Sequence, residues 1–81
     1  MKVTVNWLEV ETQEHYEDAF PVKAPLQAVK VILLAASGWA SPGDADQYVV
    51  KVNPKSPPLD ESQSLEDLGI TDGSKLCLAK A

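Results

Sequence analysis

The sequence predicts an α+β fold: a mixed sheet with one main helix laid across one face and a short helical turn before the last strand. Three observations predict it. "MKVTVNWLEV" alternates apolar and polar residues as a half-buried strand does. "APLQAVKVILLAASG" reads as a helix, with Pro25 where a first helical residue stands and Gly38 where a left-handed cap ends one. "SKLCLAK" closes the chain with a second alternating run. Hairpin, helix, strand, turn and strand pack best with the first and last strands central and parallel and the helix across them.

In the first strand Val3, Val5 and Trp7 point inward against Lys2, Thr4 and Asn6. The polar stretch "ETQEH" turns the chain into "YEDAFPVK", where Phe20 and Val22 face the core. Pro21 cannot donate to a ladder, so this second strand belongs at a sheet edge or is interrupted there. On the helix, Leu26, Val29, Leu33 and Ala36 share one face at about 100° per residue. Val31 and Leu34 fall outside that stripe. Either Trp39 and the "ASPGDAD" loop fold over them, or they form a partner-binding flank.

In "QYVVKV" the reading puts Val50 and Val52 inside and Val49 and Lys51 outside. "NPKSPPLDESQ" is an irregular connector, with Leu59, Leu65, Leu68 and Ile70 as anchors to the core. "SLEDLG" reads as one helical turn capped by Ser64, with Asp67 placed for a capping box. The corner Asp72 to Ser74 leads into the last strand, where Leu76 and Leu78 face in and Cys77 and Ala79 face out. One core is expected to gather Val5, Phe20, Leu26, Val29, Leu33, Val50, Leu65 and Leu76.

The 81 residues make a single domain, 1–81, too small for a large buried active site. With 44% hydrophobic and 23% charged residues, the chain has the composition of a folded protein. One cysteine, Cys77, excludes an internal disulfide and a four-cysteine metal site, and fits a reducing cytoplasm. "VILLAA" is far shorter than the roughly 20 residues that span a bilayer, and Met1 opens no secretory leader. Neither a membrane nor a nucleic acid is an expected partner. The net charge is −5, there is no arginine, and the lysines are scattered, whereas phosphate recognition clusters cations.

No catalytic constellation is present, so the chain is expected not to be an enzyme. His15 stands in a polar turn between Glu14 and Glu17 without a nucleophile beside it. Cys77 lies mid-strand between two leucines with only Lys75 as a nearby cation. "DAD" lacks the remaining ligands and the glycine of a calcium loop, and no metal or cofactor is expected.

This layout is that of the β-grasp, and the whole chain resembles a ubiquitin-like protein. "PLDESQSLEDLGITDGSKLCL" is similar in spacing to the stretch of ubiquitin that runs from a leucine-bearing turn through a short helix into the final strand. "APL", "SG" and "DLGITDG" look more specifically like small bacterial ubiquitin-like proteins, some of them linked to conjugation systems. The resemblance implies a protein modifier, or the globular body of one, recognised by activating, conjugating or deconjugating enzymes. The alternative is an unconjugated interaction module of a secretion or multidomain system. Two departures weigh against the first reading. Ubiquitin's apolar patch corresponds by register to Lys51, Cys77 and Ala79, and conjugated members end in Gly-Gly where this sequence reads Lys80-Ala81.

The expected partners are therefore other proteins, met by a monomer. The candidate surfaces are the outward sheet face around Val49, Lys51, Cys77 and Ala79, and the helix flank at Val31 and Leu34. Lys80 and Ala81 are expected to lead off the sheet as the root of a tail continuing to a small-residue terminus; a natural stop at a frayed end is the other reading.

Overall fold

A computed structural model describes residues 1–81. Strand β1 (Lys2–Glu9) and strand β2 (Glu14–Pro21) form a hairpin. Helix α1 (Leu26–Ser37) and a 3₁₀ helix (Pro42–Gln47) precede β3 (Tyr48–Lys51), and β4 (Ser74–Lys80) completes a single sheet in the order β2-β1-β4-β3. β1 and β4 are central and parallel, paired from Val5–Ser74 to Glu9–Leu78, as the order of the elements predicts. Pro21 lies on edge strand β2, where its missing N–H breaks no internal ladder.

The core forms where the sheet meets α1. Val5, Phe20, Leu26, Val29, Leu33, Val50, Leu65 and Leu76 are all in it, joined by Trp7, Leu34, Ala45 and Leu78. Trp7 and Phe20 meet edge to face, with ring centroids 5.9 Å apart. Leu59, Leu68 and Ile70 pack on its margin, which ties the long connector down.

Local signals account for the helix ends. Pro25 is extended (ψ 151°) and serves as the N-cap, one position earlier than expected. Gly38 adopts φ 73° at the C-cap and donates its N–H to Leu34 O, a conformation that costs glycine little. The rotation of the helix differs from expectation. Ala36 is exposed, while Leu34 and Lys30 are buried. The buried stripe is Leu26, Val29, Lys30, Leu33 and Leu34, and only the charge of Lys30 hides it in the sequence. Its ammonium is fully engaged: it donates to Ala45 O and Tyr48 O, each at 2.7 Å, and pairs with Glu61 Oε1 at 2.7 Å. The loop and 3₁₀ helix do cover the Leu34 flank, with Ala45 buried in the same core.

Further corrections concern strand ends. β2 starts at Glu14, so His15 is a strand residue opposite Leu8 and the turn is shorter than "ETQEH". β3 ends at Lys51, which leaves Val52 54% exposed instead of inside. Ser64 and Asp67 do exchange capping bonds, Asp67 N to Ser64 Oγ at 3.1 Å and Ser64 N to Asp67 Oδ2 at 3.4 Å. The segment they close is a hydrogen-bonded turn, not a full helix. Gly73 (φ 83°) forms the last corner, where Thr4 N donates to Asp72 Oδ1 and Gly73 N to Thr4 O, locking it onto β1.

Candidate functional site

Two faces are free of the core. The first is the sheet surface turned away from α1. Register and alternation put Lys2, Thr4, Asn6 and Leu8 of β1 there, beside His15, Glu17 and Ala19 of β2, Lys75, Cys77 and Ala79 of β4, and Val49 and Lys51 of β3. A cavity of about 290 Å³ opens on it, lined by Asn6, Leu8, His15, Val52, Lys75 and Cys77 among others. Lys51 sits directly across the β3–β4 ladder from Cys77.

The expected residues of this face fare differently. Val49, Lys51 and Ala79 are half-buried and line up on neighbouring strands. Cys77 is almost wholly buried, because the central strand it stands on has Leu8 on one side and Lys51 on the other. Burial pushes its thiol above the ordinary cysteine range, which disfavours the reactive thiolate. Leu8, His15 and Val52 were absent from the expected site. Leu8 alone left a sequence signal, as an apolar residue at an outward position of β1.

The second face is the exposed side of α1. Val31 is 39% and Ile32 42% exposed, and Gln27, Ala35 and Ala36 accompany them. Lys30 is the helix's one charged residue, so this side carries no charge at all. Leu34 is fully buried and cannot belong to it.

Beyond these faces, the β1–β2 turn holds a carboxylate in place. Glu9 is buried, and its oxygens accept from the Thr12 hydroxyl at 2.7 Å and the backbone N–H groups of Thr12 and Glu11 at 2.8 and 3.0 Å. Burial pushes its carboxyl up, but these bonds and Lys80 outweigh it and hold the group below its usual range. Trp39 stacks edge-on against Tyr16 nearby and donates its indole N–H to Glu14 at 2.9 Å. All of this engages neighbouring protein groups and orders the corner.

The chain's last residues are paired. Ala79 faces Val49, Lys80 faces Tyr48, and Ala81 N donates to Gln47 O at 2.8 Å. The expectation that Lys80 and Ala81 lead off the sheet is corrected: Lys80 pairs with β3, and Ala81 is held by Gln47 at the end of the 3₁₀ helix. No helix is long and apolar enough to cross a membrane.

A family model described as "WXG100 protein secretion system (Wss), protein YukD" matches residues 1–78. Among solved structures, the chain is similar to the ubiquitin-like domain of Plasmodium falciparum Dsk2, at TM-score 0.79 and 17% identity over 100% of both chains. It is similar to Caldiarchaeum subterraneum ubiquitin, at TM-score 0.78 and 21% identity over 100% of this chain and 95% of that one. It is also similar to the ubiquitin-like domain of the Mycobacterium tuberculosis type VII secretion system protein ECCD1, at TM-score 0.68 and 25% identity over 99% of each. No curated protein sequence matches. The ubiquitin-like β-grasp fold read from the sequence is the fold of this chain.

Proposed function

Because this chain belongs to the family described as WXG100 protein secretion system (Wss), protein YukD, we propose that it serves such a system as an unconjugated, ubiquitin-like protein-interaction module. The observation that carries the reading is the family match over residues 1–78, and the likeness to the ECCD1 domain of another secretion system supports it. Its partners are then other proteins of the export machinery, and its compartment is the cytoplasm, where Cys77 stays reduced. Binding falls to the two free faces: the sheet surface with Val49, Lys51 and Ala79, and the helix side with Val31.

The modifier reading receives less support. Ubiquitin's apolar patch is replaced here by Lys51 and a buried Cys77. The two readings separate in a bacterium that exports WXG100 proteins. Deleting the gene should lower export, re-expression should restore it, and the tagged protein should leave its partners in denaturant. Adducts of higher mass that survive denaturant and reductant would instead favour covalent attachment. Unchanged export in the deletion strain would remove the secretion role.

A further inference from the structure

Charge is unevenly divided over this molecule. Twelve residues are acidic, yet on the outward sheet face only Glu17 is. Three of the seven lysines, Lys2, Lys51 and Lys75, stand on that same face. The surface of a protein with net charge −5 thus has one locally cationic side. The cavity opens within it. Its five apolar contributors are Trp7, Leu8, Leu76 and Cys77 from the central strands and Val52, of which Leu8 and Cys77 stand at outward positions of the strands, and Lys75 also lines it. Lys51 does not line the cavity but stands on the same face, directly across the ladder from Cys77, within reach of a ligand that extends past the cavity, and the Asn6 amide adds a neutral hydrogen-bonding group. Neither lysine is paired with a carboxylate; the chain's one ion pair joins Lys30 to Glu61.

We infer that this cavity binds an acidic segment of a partner protein, with one apolar side chain seated among Leu8, Val52 and Cys77 and flanking carboxylates held by Lys51 and Lys75. The inference deepens the interaction-module reading by naming the chemistry of the partner, and rests on it. Volume supports an anchor of this kind: about 290 Å³ takes one large apolar side chain and excludes a folded element. Charge complementarity decides the rest. A short acidic segment reaches the cationic side alone. An extended polyanion, such as a nucleic acid or an anionic bilayer, would also meet the acidic remainder of the surface. Val52 matters because β3 ends before it; its exposed side chain closes one wall of the cavity.

The test is a titration of the isotope-labelled 81-residue chain with the peptide acetyl-Asp-Glu-Leu-Phe-Glu-Asp-amide, followed by amide resonance shifts. The expected shifts fall on Asn6, Leu8, Val52, Lys75 and Cys77, and not on Val31 or Ile32. Raising salt from about 0.05 M to about 0.5 M should weaken binding several-fold. The double variant Lys51→Glu, Lys75→Glu should weaken it by about tenfold or more, as should Val52→Asp. All three positions are at least partly exposed, so the variants should stay folded, which their resonance dispersion verifies. Equal binding of acetyl-Lys-Lys-Leu-Phe-Lys-Lys-amide, shifts confined to α1, or no shifts at all would overturn the inference. Tighter capture by oligothymidylate or by phosphatidylglycerol vesicles would overturn it as well. Failure of the parent reading looks different: the deletion strain exports normally while the peptide still binds. If export depends on the chain but tolerates both the lysine double variant and Val52→Asp, the pocket inference fails and the secretion role stands.

Discussion

Lys30 Nζ and Glu61 Oε1 lie 2.7 Å apart, and the lysine is 1% exposed while the glutamate is 28% exposed. With its two carbonyl acceptors, Ala45 O and Tyr48 O, Lys30 ties α1, the 3₁₀ helix, the start of β3 and the long connector to one atom. Lys30→Ala strands those carbonyls and opens a cavity, and should cost about 3 to 5 kcal/mol in urea unfolding. Glu61→Gln keeps a neutral acceptor beside an ammonium that still has both carbonyls, so about 1 to 2 kcal/mol is expected. A reversed order would mean that the ion pair matters more than the carbonyl bonds.

Position 34 separates folding from surface effects. Leu34→Asp puts an unpaired carboxylate in the core and should cost more than about 3 kcal/mol, enough to unfold much of the population of so small a domain. Val31→Asp, on the exposed side of the same helix, should stay within about 0.5 kcal/mol. Thermal melts of the two variants check both expectations.

Leu33→Ala should cost about 2 to 5 kcal/mol, since that side chain is fully buried in the core under the helix. A loss under about 1 kcal/mol in denaturant unfolding would mean that the site collapses around the deletion.

Acid should act through Glu9. Its carboxyl titrates below the usual 4.5 in the folded state, so ionised Glu9 stabilises the fold fully above that value. The contribution is lost as pH falls from 4.5 through the lower folded value, where the unfolded chain binds the proton first. Urea midpoints measured downward from neutral pH should therefore fall less steeply in Glu9→Gln than in the unsubstituted protein.

The Cys77 thiol should be slow to react. Being buried and raised in pKa, it should label with a disulfide reagent at least about tenfold more slowly in the native protein than in urea. Fast native labelling would show that the sheet face opens readily.

Most of the fold was legible because its causes are local. Alternation marks β1 and β4, Pro25 and Gly38 bracket α1, and Ser64 with Asp67 closes the connector turn. What escaped depends on distant chain. The carbonyls that make Lys30 a buried residue belong to Ala45 and Tyr48, so a stripe drawn through apolar residues alone rotates the helix toward Ala36. Glu14 and His15 look like a turn until β1 pairs with them. The cavity could not be read at all, because its walls come from three strands of the sheet, β1, β2 and β4, and from the residue after β3.

The parallel β1–β4 pairing also has a mechanical meaning. Tension applied between Met1 and Ala81 pulls two adjacent parallel strands in opposite directions along their length, from Val5–Ser74 to Glu9–Leu78. The interstrand bonds then bear the load together in shear, whereas a hairpin opened from its free end would yield them one after another. A domain wired in this way should stay folded under tugs that unzip a hairpin.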